Sequence, residues 1–431
     1  MPSPAKRKLS SQVLAQVTPR VHAQVPAQVT AHPALHYLAP AVLVMGVFYG
    51  FHAIQDTLQH ARDAFLLDVG VFRDTGRAIV EGFPLYSDEF PTRSGFRFLY
   101  PPFAAALFVP LTWMDEQVME LAWTWASIAA LLATVTMATH RLGLQRWWMW
   151  SVGLTGFALL LDPIQTHLMY GQINIFLACM ITADVLGYTP RPIRGLGIGV
   201  AAGIKITPAA YALLFLVRKD WWSLARSAGF FLFTVGAGFL LRAEESWYYW
   251  TDEFFRSDRG GPPPYPPNQA LTGLISRLGV DADTAAAIMQ PGFVLIAALT
   301  VWGAWKLTWS GRHVDALLLV VLGISLANPI AVTHHWSGMV IALPLLFVPV
   351  NRAVAAALAL FLYANFAGWY VLYPDQPTYS FDFPFYFVAN LQGLSGLLLF
   401  VVYLFSVATP PHARSVRIFK RSGRGVVRTD V

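Results

Sequence analysis

The stretch FLLDVGVF, residues 65–72, sets one carboxylate, Asp68, among apolar and small neighbours. An acid so placed is partly desolvated, which raises its pKa and makes it a stronger base. The plainer alternative is an interfacial acid paired with a nearby arginine. Further along, GIKITP at 203–208 puts Lys205 inside an apolar run. A charge there costs about 2.5–3.5 kcal/mol on insertion scales and marks function by default. Its natural partner is an anion such as a phosphate, and the helix break beside it offers backbone donors to the same anion. The alternative is a lysine that snorkels to the interface. NPIAVTHHWSG (328–338) adds His334 and His335, able to shuttle protons or hydrogen-bond phosphate. DPIQTHLMYGQIN (162–174) gathers Asp162, His167, Gln172 and Asn174, whose polar groups either hydrogen-bond a sugar or cap and join helices. RFLYPP (97–102) holds Tyr100 at a turn fixed by two prolines. PPPYPPNQALTGLISRLG (262–279) is a rigid aromatic loop whose polar handles are Asn268, Gln269 and Arg277.

Elements that position these groups must lie in a membrane. Of 431 residues 56% are hydrophobic and 13% charged, against about 25% charged in soluble domains. The fold expected is an all-α polytopic membrane protein. Spans are expected near 38–55, 117–138, 148–163, 170–187, 222–241, 288–308, 313–330, 337–350, 353–371 and 388–407. Two further apolar stretches are interrupted, 100–116 before Pro110 and 195–217 at Lys205 and Pro208. That makes ten to twelve spans in a membrane domain over 37–408. It is flanked by a low-complexity, disordered tail over 1–36 and a basic tail over 409–431. The first apolar run begins near Leu38, too late for a cleavable signal, so a retained anchor is expected.

The positive-inside rule orients the chain. With KRK at 6–8 in the cytoplasm, ten crossings put HRLGLQR (140–146), RPIR (191–194), RKD (218–220), GRH (311–313) and NR (351–352) inside. This holds only if 195–217 enters and leaves on that side and 100–116 does the same on the other. The outer side then receives 56–100, 162–170, 242–287, 328–336 and 372–386. In the first of these, Phe65, Val69, Phe72, Gly76 and Ile79 recur at helical spacing, opposite Asp63, Asp74, Arg77 and Glu81. An amphipathic helix over 62–82 is expected at the outer interface, with Asp68 at the border of its apolar stripe.

Several classes fall away. The net charge of +6 is a topology signal and calls for no nucleic acid. One cysteine, Cys179, permits neither an intrachain disulfide nor a cysteine metal site. No HExxH spacing, Walker loop, GxSxG elbow or dinucleotide fingerprint occurs in a suitable context, so neither a catalytic metal nor another cofactor is expected. An outer site has no access to cytosolic nucleotide sugars, but a lipid-phosphate donor would reach it.

LLDVGVFRDTGRAIVEGFPLY, FLYPPFAAALFVPL, YGQINIF, GVAAGIKITPAAYALLFLVRKDWW, NQALTGLISRL and ANPIAVTHHW follow one another in this order. Together they resemble glycosyltransferase family 87, over about 60–340. The likeness implies a C-type membrane glycosyltransferase fold and a polyprenyl-phosphate sugar as donor. The pattern is most similar to the family's actinobacterial α-(1→2)-mannosyltransferases, which act on phosphatidylinositol mannosides and lipoarabinomannan. It implies inverting transfer of mannose from decaprenyl-phosphomannose to a mannosylated glycolipid, on the outer face of the plasma membrane. Asp68 falls at the family's base. Lys205, His334 and His335, with Gln172 and Asn174, are implied as donor phosphate or sugar contacts. Tyr100, Asn268, Gln269 and Arg277 are expected as acceptor or loop contacts. Phe72 stands where members often have Tyr, and NPIAV replaces a Ser-Pro-Ile-Ser-Trp run. An arabinofuranosyltransferase using decaprenyl-phosphoarabinose is therefore the nearest alternative, and a lipid or sugar transporter the second. Both interrupted stretches lie in the first half, against the paired broken helices common in transporters.

Overall fold

A computed structural model describes residues 33–87, 92–256, 262–366 and 385–408. The tail expected over 1–36 lies outside them as far as residue 32, as do the tail over 409–431 and the outer loop 372–386 as far as residue 384. The chain is an all-α polytopic membrane protein. Helices of the first half are α1 (Ala39–Asp63), α2 (Leu67–Glu81), α3 (Pro102–Phe108), α4 (Glu116–Arg141), α5 (Trp147–Ala158), α6 (Asp162–Tyr170), α7 (Asn174–Leu186) and α8 (Leu196–Ile204). They continue as α9 (Leu213–Val217), α10 (Trp221–Leu241), α11 (Ala243–Thr251), α12 (Leu271–Ser276), α13 (Ala282–Trp309), α14 (His313–Ala327), α15 (Ala342–Leu345), α16 (Arg352–Ala364), α17 (Phe385–Ala389) and α18 (Leu391–Ala408). Among the described residues, α1, α4, α10, α13 and α18 are long and apolar enough to cross a membrane alone.

The remaining crossings are shorter, and four expectations need correction. The stretch 62–82 is not one helix: α1 runs to Asp63, the chain turns through an extended Leu66, and α2 starts at Leu67. Residues 162–170 form helix α6 rather than a loop, ended by Gly171, so the following crossing begins at Asn174. The span expected at 148–163 stops at Ala158. The one expected at 337–350 is a 3-10 segment, Thr333–Ile341, continued by the single turn α15. Short and irregular backbone is tolerated at membrane depth where protein buries it, and Trp336, Met339, Val340 and Leu345 are buried.

One end of the bundle gathers the basic loops. Arg194 donates to the Gly187 carbonyl at 3.2 Å, and Arg226 to the Arg194 carbonyl at 2.8 Å. Arg218 donates to the Val185 carbonyl, and the Trp309 indole to that of Val217 at 3.0 Å. Arg312 grips Asp315 through two bonds of 2.9 and 3.1 Å and donates to the Val348 carbonyl at 2.7 Å. Thus 195–217 does begin and end at the same face. It rises as α8, breaks at an extended Lys205, and returns through the 3-10 segment Thr207–Ala212 and α9. At about 1.5 Å per residue, α8 lifts Lys205 about 13 Å above the basic end. The first stretch, 100–116, does the mirror-image thing under α2. Arg73 donates to the Met114 carbonyl at 3.1 Å, and both Arg73 and Arg93 pair with Glu116.

Close approach fixes the first crossing. A Cβ on Gly46 would lie 2.0 Å from the Gly153 carbonyl oxygen, and one on Gly50 would lie 2.8 Å from the Gly156 Cα. The pair spaced four apart in GVFYG therefore lets α1 and α5 touch backbone to backbone, as small residues do in membrane helix pairs.

Candidate active site

Helix α2 carries Asp68 and is seated by its apolar face. Val69 and Phe72 are buried, and the Phe72 ring stacks on Phe108 with centroids 4.4 Å apart. Both ends are tied by charge. Glu120, an acid inside α4, accepts from the Leu66 backbone N–H at 2.9 Å. Arg242, at the end of α10, donates to the Ala78 and Ile79 carbonyls at 3.0 and 3.1 Å. An anion at a helix N-terminus and a cation at its C-terminus both complement the helix dipole. Sequence reading missed these two. The signal was present for Glu120, an acid in an otherwise apolar span.

Gly171 brings the next element to Asp68. Its φ of +65° ends α6, and a Cβ there would sit 2.7 Å from Val69 Cγ1. Gln172 follows and donates to the Asp68 carboxylate. Burial pushes the Asp68 carboxyl up to about 6, while the Gln172 bond and the Lys205 charge keep it from rising further. Asp68 therefore sits at the border between apolar face and solvent, poised as a carboxylate near neutral pH.

Lys205 reaches this group from the tip of its hairpin. Its Nζ donates to Asn174 Oδ1 at 3.1 Å and lies 3.2 Å from His335 Nε2. The Tyr100 ring lies 5.7 Å from Nζ. An ammonium has donors only, so Nε2 of His335 must accept; the proton then sits on Nδ1, toward the Ile330 backbone with which the ring hydrogen-bonds. His335 is thus a neutral imidazole that orients the lysine. Among the described residues two of the three Nζ protons are engaged, which leaves one for an anion. The backbone donors expected at the break are reduced, because the Lys205 N–H is bonded to the Ala201 carbonyl at 2.9 Å. The Tyr100 hydroxyl is held protonated, first by burial and then by the Asp68 charge. Asp68, Tyr100, Gln172, Asn174, Lys205 and His335 accordingly form one constellation, drawn from α2, the α3 entry, the turn into α7 and its first residue, the hairpin and the Thr333–Ile341 segment.

The remaining candidates separate. His334 turns away from His335, their rings edge to face with centroids 4.8 Å apart; it meets Lys205's neighbours only through its carbonyl, which accepts from Asn174 Nδ2 at 3.3 Å. Asn268, Gln269 and Arg277 are buried and wholly engaged inside the loop fold. Asn268 bridges Pro263 and Ala331, Gln269 bridges Ala389 and Gly393, and Arg277 holds Asn390 at 2.9 Å and the Tyr265 carbonyl at 2.9 Å. Each of the three therefore joins parts of the loop fold, which is the loop contact expected of them. Their amides and guanidinium sit where three loops converge, and buried polar groups there need partners. Among the described residues no three His, Cys, Asp or Glu side chains cluster as metal ligands would.

A cavity of about 210 Å³ opens at Lys205, Asn174 and His335, with Thr207, Ser325 and Asn328 on its walls. An apolar groove of about 320 Å³ lined by Ile206, Leu213, Phe293, Val301 and Val320 adjoins it, with Thr207, Ile324 and Asn328 bordering both. A cation at one end of an apolar groove suits an anionic head on a long hydrocarbon.

The model of glycosyltransferase family 87 matches residues 98–332. That stretch contains Tyr100, Gln172, Asn174 and Lys205, and lies between Asp68 and the histidine pair. A polyprenol-phosphate-mannose-dependent alpha-(1-2)-phosphatidylinositol mannoside mannosyltransferase of Mycolicibacterium smegmatis is 32% identical over 313 residues, which cover 67% of this chain and 70% of the relative. A protein of the same description from Mycobacterium tuberculosis is 30% identical, over 64% of this chain and 68% of its own. A polyprenol-phosphate-mannose-dependent alpha-(1-2)-phosphatidylinositol pentamannoside mannosyltransferase of M. smegmatis is 31% identical, over 72% and 76%. No solved structure matches the chain.

Proposed function

The chain belongs to glycosyltransferase family 87, and on that premise we propose that it is an inverting α-mannosyltransferase. It takes mannose from decaprenyl-phosphomannose and places it on a hydroxyl of a mannosylated phosphatidylinositol. The work is done on the outer face of the plasma membrane, with the basic loops in the cytoplasm. The observation that carries this reading is the cluster that sets Asp68, a desolvated acid held by Gln172, beside Lys205, a cation aligned by Asn174 and His335. The names of the relatives supply donor and acceptor class.

The chemistry follows from the residues. Asp68 accepts the proton of the acceptor hydroxyl, and the hydroxyl oxygen attacks the anomeric carbon from the face opposite the phosphate. The bond from that carbon to the phosphate oxygen breaks, and its electron pair leaves on the phosphate. Lys205, aligned by Asn174 and His335, meets the growing charge; preorganised donors at a developing anion are the largest contribution in many enzymes. The donor's polyprenyl chain lies in the apolar groove that adjoins the Lys205 cavity.

The test is direct. Purified protein is incubated with decaprenyl-phosphomannose or decaprenyl-phosphoarabinose, together with phosphatidylinositol mannosides of increasing size. A product one hexose heavier, made from the mannose donor alone, is expected. A pentose increment would replace mannose by arabinofuranose, and no product from either donor would overturn the reading.

A further inference from the structure

The two histidines stand back to back. His335 faces the Lys205 cavity, while His334 faces a second cavity of about 350 Å³. That second cavity runs along α6 from Asp162 at its start to Tyr170 at its end, about 12 Å at 1.5 Å per residue. Tyr265, Pro266 and Pro267 close it from the 262–270 loop. The Tyr170 ring meets His334 edge-on at 5.7 Å.

The charge in this cavity is opposite to that beside Lys205. Asp162 accepts from the Thr166 hydroxyl at 3.2 Å, and no cation pairs with it among the described residues. Burial pushes its carboxyl up to about 6. A phosphate would be repelled here and drawn to Lys205. A bare hydrocarbon would leave Asp162 with carboxylate lone pairs that the Thr166 hydroxyl alone does not fill, at a cost. A neutral polyol satisfies all of them: its hydroxyls donate to the acid, and its C–H faces lie on tyrosine and proline rings. The volume falls within the range of ligand pockets, about 300–1,000 Å³. At its far end Tyr170 stands two residues before Gln172, which hydrogen-bonds Asp68.

We propose that this second cavity is the carbohydrate subsite of the acceptor, in which Asp162 receives hydroxyl hydrogen bonds and Tyr170 and Tyr265 carry sugar faces. The assignment rests on the transferase reading above for the glycan's role as acceptor. The cavity is longer than one sugar ring, so it takes an oligosaccharide head and sends its end hydroxyl toward Asp68.

The experiment uses the full chain with Asp162→Asn and Tyr265→Ala, and methyl α-mannobioside as a soluble probe. Calorimetry should show the mannobioside binding to the wild type and weakened about tenfold or more in each variant. In the transfer assay the acceptor KM should rise about tenfold with the donor KM unchanged, and the mannobioside should compete with the acceptor only. No mannobioside binding, or binding equal in all three proteins, overturns the subsite. So does a donor KM that rises with the acceptor's, or competition with the donor. Tyr265 is 39% exposed, so its truncation carries the test if Asp162→Asn fails to fold. If no protein transfers mannose, the transferase reading fails, and calorimetry still decides the cavity.

Discussion

Asp68→Asn should disable the protein and make it more stable. The buried carboxyl titrates near 6 instead of its ordinary 3.8. The folded state therefore binds more protons than the unfolded chain between about pH 4 and 6, and stability falls as pH rises through that window. Above pH 6 the whole penalty stands. At about 1.4 kcal/mol for each pH unit it amounts to about 3 kcal/mol, an upper figure because the denatured chain is not fully solvated. Asparagine keeps the volume and stays neutral, so it removes that penalty. It also cannot take a proton, and loss of a general base lowers rate about 10²–10⁴-fold. Both are measured on one preparation, by mass-resolved transfer from decaprenyl-phosphomannose and by thermal unfolding in detergent at pH 7.5. Wild-type kcat/KM should rise with pH to a plateau and be half-maximal near pH 6. A variant that retains more than a tenth of wild-type transfer refutes the base. One that loses activity and thermal stability together refutes the desolvation argument instead.

Lys205→Met should raise the donor KM about tenfold to a hundredfold, the contribution of one charged hydrogen bond or more, with membrane insertion unchanged; an unchanged donor KM would remove the lysine from the phosphate. Gly171→Ala must adopt a left-handed φ, at a cost of about 1–2 kcal/mol, and push against Val69, so both thermal stability and transfer should fall. Wild-type stability in that variant would show that α2 is seated otherwise. Glu120→Leu leaves the buried Leu66 N–H without its acceptor, costing about 1–3 kcal/mol, and should speed hydrogen exchange in 67–81. Glu120→Gln retains a carbonyl there and should restore most of the protection.

What could be read from the sequence depended on locality. The seat of Asp68 was legible because residues at helical spacing on one short segment decide which face is apolar. The fate of 195–217 was legible because arginines bracket it and a break lies at its centre. The divergence of His334 from His335 was not, since neighbours along an irregular segment carry no period from which direction can be inferred. Nor was the engagement of Lys205 by Asn174, whose approach depends on how the hairpin packs against α7. Asn268, Gln269 and Arg277 looked like handles because polar residues in an aromatic loop signal a ligand and a loop-building network equally. The helix α6 was hidden by its length: nine residues with a proline at the second position give too little periodicity to distinguish a helix from a loop.

Asn174 commits both ends of one amide, its oxygen to Lys205 and its nitrogen to the carbonyl of His334. Any shift of the lysine toward a bound phosphate pulls on the peptide that borders the opposite cavity. Occupancy on one side therefore alters affinity on the other, and thermodynamic linkage makes the effect reciprocal. Double-reciprocal plots should intersect rather than run parallel, with an intersection that moves when Asn174 is replaced.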